Sequence, residues 1–313
     1  MKNNIHIVEF DGDHSVEIYT GQSLLEAAVI SGIRHMHVCG GNAKCSTCRV
    51  LVLEGGEYLS SPNEKEQSLN NQMSFPTNVR LACQTTVNGE PVKIKRIIQD
   101  ESDIDLYIGK NSGFSPQQIG EELELVLFFF DIRDFTAFAE THLAFDVIHV
   151  IRKLFSIFQT IIKNNEGEII ETMGDGFYAV FGCEKGKQHS VHAAVEAGLL
   201  IIKELDFLNE TYFKPYFNKI IQAGIGVHIG KVISGEVQMD SFNHRFVMGL
   251  PVNIAARLQN ATKELNNSFI VSSEAYNQLS EQLQNYSSAF INLKGIKDEI
   301  QVFLLGRTYL SNN

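Results

Sequence analysis

Three cysteines fall within one short stretch, CGGNAKCSTCRV at positions 39–50, and a fourth, Cys83, stands in RLACQT. A chain that gathers thiols so spaced must turn sharply through small residues and return a distant segment to the same loop. Gly40, Gly41, Ala43, Ser46 and Thr47 supply the small residues, which lets backbone N–H groups turn toward the sulfurs. The spacing is C-x5-C-x2-C, and four soft thiolates with three on one loop suit a [2Fe–2S] cluster. Structural zinc takes paired C-x2-C knuckles, and only Cys45 and Cys48 form one. Disulfides are disfavoured, because the fifth cysteine, Cys183, makes the count odd and MKNNIHIVEFDGD has no apolar run of signal-peptide length. Cys183 is expected to be a small buried hydrophobe. His35 and His37 precede the loop and are expected at the surface or in a loop, since all four cysteines are present to act as ligands.

With 313 residues, 44% hydrophobic and 20% charged, the chain is long enough for two packed domains and is not of disordered composition. No stretch approaches about eighteen consecutive apolar residues, so a cytoplasmic protein without a membrane span is expected. A formal charge of −11 argues against a general binder of nucleic acid or anionic membrane.

The first hundred residues read as short strands around one or two helices. IHIVEF and SVEIYT flank the hairpin signal DGDH. SLLEAAVISG is a helix capped by Ser23 and stopped by Gly32. RVLVLEG, RLACQTTV and PVKIKRI are strands, and SPNEKEQSL is a short helix started at Ser61-Pro62. Residues 98–121 are polar, acidic and punctuated by Gly and Pro, as a connector is. From residue 122 the pattern alternates helix and strand. LELVLFFFDI is a buried strand. FDVIHVIRKLFSIFQTIIKNN is an amphipathic helix with Val147, Ile148, Ile151, Leu154, Phe155, Phe158, Ile161 and Ile162 on its buried face. GEIIETMGDGFYAVFG is two strands around Gly174-Asp175-Gly176.

CGGNAKCSTCRV together with RLACQ resembles the loop and fourth-ligand strand of adrenodoxin-like [2Fe–2S] ferredoxins, over residues 4–97. That resemblance implies a β-grasp fold, with Cys39, Cys45, Cys48 and Cys83 holding the cluster and a redox partner protein exchanging electrons with it.

In the second half, LFFFDIRDFTAF sets Asp131 at the C-terminal end of an apolar strand, and ETMGDGFYAVF sets Asp175 on a hairpin turn. Two such carboxylates can share divalent metals for phosphoryl transfer, and the helix start in IRDFT, with Phe135 and Thr136, offers free N–H groups to phosphate oxygens. Each aspartate alone also fits a cap or a turn. Taken in order, FFDIRDFT, ETMGDGFYAVFG, AGIGVHIGKVISGEV, VNIAARL and LKGIKDEIQVFLL resemble the class III nucleotide cyclase catalytic domain over residues 122–307.

The cyclase resemblance implies an α+β domain of ferredoxin-like βαββαβ fold. It also implies roles. Asp131, Asp175 and the carbonyl of Ile132 match ligands of two Mg2+ or Mn2+ ions. Asn253 and Arg257 match the pair that orients the ribose and stabilises charge on the transferring phosphate, and Lys294 or Lys297 meets the β/γ-phosphates. A homodimer follows, because the family builds each site from two protomers. Glu171 stands at a base-reading position and leans toward GTP over ATP; Phe246, at the second, makes no polar contact. Leu250-Pro251 departs from the family's usual turn.

The expected organisation is a ferredoxin-type domain over 1–97, a linker over 98–121 and a cyclase domain over 122–313. The expected activity is conversion of a nucleoside triphosphate to its 3′,5′-cyclic monophosphate, governed by the cluster. A competing reading is an electron carrier whose second half is a silent nucleotide-binding dimer. A third keeps the enzyme and makes the cluster a structural staple.

Overall fold

The computed structural model describes residues 4–99, 120–239, 242–280 and 285–310. The chain divides into two units, Met1–Ile119 and Gly120–Asn313. Most of the expected connector, residues 98–121, lies outside the described residues. No helix among the described residues is long and apolar enough to cross a membrane.

In the first unit, β1 (Ile5–Phe10) and β2 (Ser15–Tyr19) form the expected hairpin, with Val8, Phe10, Val16 and Ile18 turned inward at every second position. Ser23 starts α1 (Leu24–Ile30) through a reciprocal capping box with Glu26. Then follow β3 (Arg49–Glu54), α2 (Glu64–Met73), β4 (Val79–Leu81) and β5 (Val92–Arg96). The sheet order is β2-β1-β5-β3-β4, with β1 and β5 parallel at its centre and α1 buried against one face, as in a β-grasp fold.

Two expectations are corrected here. The cap of α2 is Asn63, whose side chain accepts the Glu66 N–H, so the helix begins at Glu64 and not at Ser61-Pro62. The strand expected in RLACQTTV ends at Leu81, because the Ala82 N–H turns back to the Cys48 carbonyl at 3.1 Å and ties this segment to the cysteine loop. Behind that turn lies a buried ion pair. Arg80 Nε and Nη2 each donate to Glu66 at 2.9 Å, and the Leu81 N–H donates to Glu66 Oε1 at 2.7 Å.

The second unit begins with β6 (Glu121–Ile132), α3 (Phe135–Thr141), α4 (Ala144–Asn164), β7 (Gly167–Met173), β8 (Gly176–Gly182) and α5 (Lys187–Leu208). After a π-helical turn come α6 (Lys214–Phe217), β9 (Ala223–Met239), β10 (Phe242–Met248) and α7 (Leu250–Ala261). The chain closes with β11 (Phe269–Ser272), α8 (Ser273–Tyr276), β12 (Ser288–Ile291) and β13 (Ile300–Leu304). The sheet runs β12-β13-β11-β9-β6-β8-β7, with β10 folded back on β9. Its central β9-β6-β8-β7 run, crossed by α4 and α5, is the expected βαββαβ arrangement.

The strand β6 is apolar at every position from Leu125 to Phe130 because both its faces are covered. Phe128 and Phe130 join Phe158, Phe177 and Phe181 in the larger core. Leu125, Leu127 and Phe129 face the other way, with Val232 and Ala255 of α7. The buried stripe of α4 is Val150, Leu154, Phe158 and Ile162. Ile148, expected inside, is 49% exposed, since it lies two residues, or about 200°, around the helix from Val150.

The seat of α7 on β9 is unusually close. A Cβ at Gly226 would stand 2.3 Å from the Gln259 backbone N, and one at Gly224 would stand 2.4 Å from Thr262 Oγ1. Side chains are excluded there so that the helix backbone can lie almost on the strand.

Candidate functional site

The four cysteines meet as two pairs. Cys48 Sγ donates to Cys83 Sγ at 3.4 Å, and Cys39 is hydrogen-bonded to Cys45. The loop holding them turns through Gly40, Gly41 and Ala43, all with positive φ. The hydrogen bond from Cys48 lowers the Cys83 thiol to a pKa of about 6, and the same bond pushes Cys48 up. Burial opposes ionisation of Cys39, yet its bond with Cys45 and the backbone N–H groups of Lys44 and Asn42 hold it below the ordinary thiol range. Burial raises Cys45, against a 3.1 Å contact from Thr47 Oγ1. Three half-buried sulfurs and the buried Cys48, with N–H and O–H donors already aimed at them, fit a two-iron cluster in donor chemistry. Among the described residues no three His, Cys, Asp or Glu side chains converge on one point.

His35 lies in a loop, as expected, but in a buried one. It is 2% exposed and packs edge-on to Phe10 at 6.3 Å; its Nε2 lies 3.3 Å from the Cys48 carbonyl, to which it donates. Burial, with the nearby Arg96 charge, lowers its pKa to about 4, so the ring is neutral at pH 7. His37, half-buried, bonds the His35 carbonyl through Nδ1 at 2.7 Å. Cys183, expected to be buried, packs against the larger core but is only half-buried.

In the second unit, Asp131 ends β6 and pairs in register with Gly176, the residue after Asp175. The Ile132 N–H donates to the Asp175 carbonyl at 3.3 Å, which closes the β7–β8 turn onto the strand end. Burial raises the Asp131 carboxyl to a pKa of about 6; the Asp175 charge adds to this and Lys263 opposes it. Asp175 is also raised, by burial, with Lys263 again opposing. Lys263 follows Thr262, the residue packed on Gly224, and Gly224 pairs with Asp131 across β6 and β9. Sequence reading missed Lys263, since no local pattern marks a lysine 132 positions from Asp131 as its neighbour. Phe135 stacks on Phe138 at the start of α3, and Thr136 beside it is exposed.

Glu171 is exposed on β7, opposite Tyr178 of β8. Burial raises the Tyr178 hydroxyl, and the Glu171 charge adds to it. Phe246 is half-buried on β10, which an Arg245–Glu168 ion pair ties to β7. Glu171 therefore stands on the hairpin that carries Asp175, and Phe246 on β10, which pairs with β9 and meets β7 through that ion pair.

Asn253 and Arg257 lie elsewhere. Asn253 is exposed in the first turns of α7. A Cβ at Gly295 would meet Arg257 Nη2 at 3.5 Å, so the guanidinium points to the β12–β13 connection, beside the exposed Lys294 and Lys297. Arg257 Nη1 is buried with no hydrogen-bond partner among the described residues. In sheet order, β12 and β13 lie on one side of β9 and the Asp131–Asp175 pair on the other. Asn253 is also nine residues, or about 14 Å of helix, from Thr262 at the Asp131 end. One chain thus assembles the acids with Glu171, and separately Arg257 with Lys294, but does not join the two sets. A cavity of about 290 Å3, lined by Leu205, Ile221 and Tyr309 among others, contains none of these residues.

The raised Asp131 carboxyl has a stability consequence. An unfolded aspartate ionises near about pH 3.9, and Asp131 in the fold near 6. Between these values the folded state binds more protons, so stability falls as pH rises to about 6 and stays lowered above it. Asp131→Asn is expected to stabilise the metal-free protein at pH 7 by about 1 kcal/mol, allowing for partial solvent screening. It is expected to do little at pH 4. Melting temperatures at both pH values check this; an equal effect at each would refute it.

Residues 118–307 match the family model described as the adenylate and guanylate cyclase catalytic domain, and residues 8–88 that of the 2Fe-2S iron-sulfur cluster binding domain. The chain is 24% identical over 197 residues to the terminal-differentiation-specific adenylate cyclase of Dictyostelium discoideum, covering 61% of this chain and 9% of that protein. It is 36% identical over 81 residues to chlorosome protein J of Chlorobaculum tepidum, covering 26% of this chain and 36% of that protein. The solved guanylyl cyclase Cya2 superposes with a TM-score of 0.55 at 22% identity, covering 61% of this chain and 95% of that one. Of its first curated relatives the chain spans only 9% to 20% of the length.

Proposed function

Because the chain belongs to the adenylate and guanylate cyclase family, we propose that its C-terminal unit converts a nucleoside triphosphate to the 3′,5′-cyclic monophosphate and pyrophosphate, under control of a [2Fe–2S] cluster in the N-terminal unit. The observation that carries this reading is the junction of β6 with the β7–β8 turn, which sets Asp131 beside Asp175. Divalent ions held by these carboxylates and the Ile132 carbonyl would neutralise developing charge and lower the pKa of the 3′-hydroxyl.

The chain's own residues do the rest. Arg257 has a buried donor with no partner among the described residues, and this donor meets the charge that builds on the α-phosphate oxygens. Asn253, four residues earlier on α7, orients the ribose, and Lys294 beside Gly295 holds the β/γ-phosphates. Phe135 and Thr136 line the phosphate side at the α3 start. Glu171 accepts hydrogen bonds from the N1–H and amine of guanine, while Phe246 packs on the base, so GTP is the favoured substrate. The acids and Arg257 are separated within one chain, so the working unit is a homodimer in which each site takes Asp131 and Asp175 from one copy and Asn253 and Arg257 from the other.

In the N-terminal unit, Cys39, Cys45, Cys48 and Cys83 hold the cluster, which would supply a one-electron store. The sulfur-directed donors around it, Thr47 and the loop amides, favour the more negative reduced form. Regulation follows if that change biases the dimer between two arrangements.

Product analysis tests all of this. The anaerobically purified chain is offered ATP, GTP, CTP and UTP separately, with magnesium or manganese, cluster oxidised and then reduced. Cyclic GMP in a yield that depends on redox state is the expected result. Equal turnover in both states removes the regulatory reading, and no cyclic product from any substrate removes the catalytic one.

A further inference from the structure

We infer that Gln84 is a positioning residue that sets the reduction potential of the cluster through Cys83, and that Asn63 at the start of α2 holds it in that role. The inference rests on the reading of the four cysteines as cluster ligands.

Gln84 Nε2 donates to Cys83 Sγ at 3.3 Å and to the Gly41 carbonyl at 2.9 Å. Its Oε1 accepts from Asn63 Nδ2 at 2.9 Å. The amide therefore cannot turn over without placing its oxygen against a sulfur and a carbonyl, and its NH2 against an NH2. Asn63 is fixed in the same way, because its Oδ1 accepts the Glu66 N–H at 2.9 Å as the cap of α2. The three bonds point one way: the helix amide gives to Asn63, Asn63 gives to Gln84, and Gln84 gives to the sulfur. Such a chain polarises along its length, so the last donor is stronger than an isolated amide. Gln84 is half-buried beside the sulfur.

The consequence is a redox effect. Adding one electron makes the ligand sulfurs more negative, so a donor on Cys83 favours the reduced state and raises the potential. Asn63 touches neither sulfur nor loop backbone through Nδ2, and acts only through Gln84.

The experiment is an EPR-monitored redox titration of the full chain, with iron and sulfide measured on each sample. Gln84→Leu is expected to make one-electron reduction about tenfold less favourable, a shift of about 59 mV to more negative potential. Asn63→Ser keeps a competent helix cap but is too short to reach Gln84. It is expected to shift the potential in the same direction by less, and to add nothing in the Gln84→Leu background. Melting temperature and iron content should stay near those of the unaltered chain in Asn63→Ser, which a purely structural role would not allow together with a shifted potential. An unmoved potential in Gln84→Leu with full iron and sulfide overturns the inference, as does an Asn63→Ser shift that persists without Gln84. If Gln84→Leu loses its cluster, Asn63→Ser alone decides: a shift supports the inference and no shift overturns it. If the unaltered chain itself holds no iron and sulfide, the reading of the cysteines fails and takes the inference with it.

Discussion

Asp131→Ala and Arg257→Ala chains are each expected to form cyclic nucleotide at least about a thousandfold more slowly than the unaltered chain, and an equal mixture of the two to recover activity. Asp131 is half of the acid pair. Its loss leaves Asp175 alone at the strand end, with nothing to complete a divalent site. Arg257 supplies the one guanidinium donor on α7, and Ala leaves the transferring phosphate without it. If each chain held a whole site, two dead chains would stay dead when mixed. Here the acids and Arg257 lie on opposite sides of β9, so in the proposed homodimer a mixed pair would have one site with both sets intact and one with neither. Random pairing makes half the dimers mixed, and recovery should reach about a quarter of the unaltered rate. Cyclic nucleotide measured across mixing ratios checks this; no recovery at any ratio would mean that each chain works alone.

Glu66→Ala is expected to cost the N-terminal unit about 3–5 kcal/mol, the usual result of stripping one partner from a buried ion pair. The Arg80 side chain is 11% exposed and Glu66 3%, so the stranded guanidinium has little water to turn to. The Leu81 N–H loses its acceptor as well. That residue opens the turn to Cys83, so iron should be lost along with stability. Glu66→Leu with Arg80→Met, which removes both charges, should recover most of the loss. Urea unfolding and iron content measure it, and a loss under about 1 kcal/mol would show that solvent relieves the pair.

Much of this architecture is legible along the chain because it is locally encoded. β6 holds a six-residue apolar run bounded by acids, and the cysteine loop is marked by its spacing. Asp131 and Asp175 are visible because a strand end and a GDG turn are both short-range signals. What is not legible depends on distant neighbours. Ser61-Pro62 reads as the start of α2, yet the cap falls on Asn63, whose side chain bonds both Glu66 and Gln84. His35 reads as a polar loop residue until the fold wraps Phe10 and Cys48 around it. Val150 displaces Ile148 because the angle at which α4 meets the sheet is set by the core and not by the helix. The aim of Arg257 toward Gly295, and the nearness of Lys263 to the acids, depend on contacts that sequence proximity does not report.

The seat of α7 on Gly224 and Gly226 limits how the C-terminal unit could be switched. At Gly226 the helix backbone lies against the strand, and at Gly224 the Thr262 and Gln259 side chains fill the space, so the helix has little room to slide or roll without collision. Asn253 and Arg257 travel with β9 as one casting. In the proposed homodimer, a control signal would then have no gear to shift inside a single copy; it would work as a clutch, bringing two finished halves into engagement or letting them part.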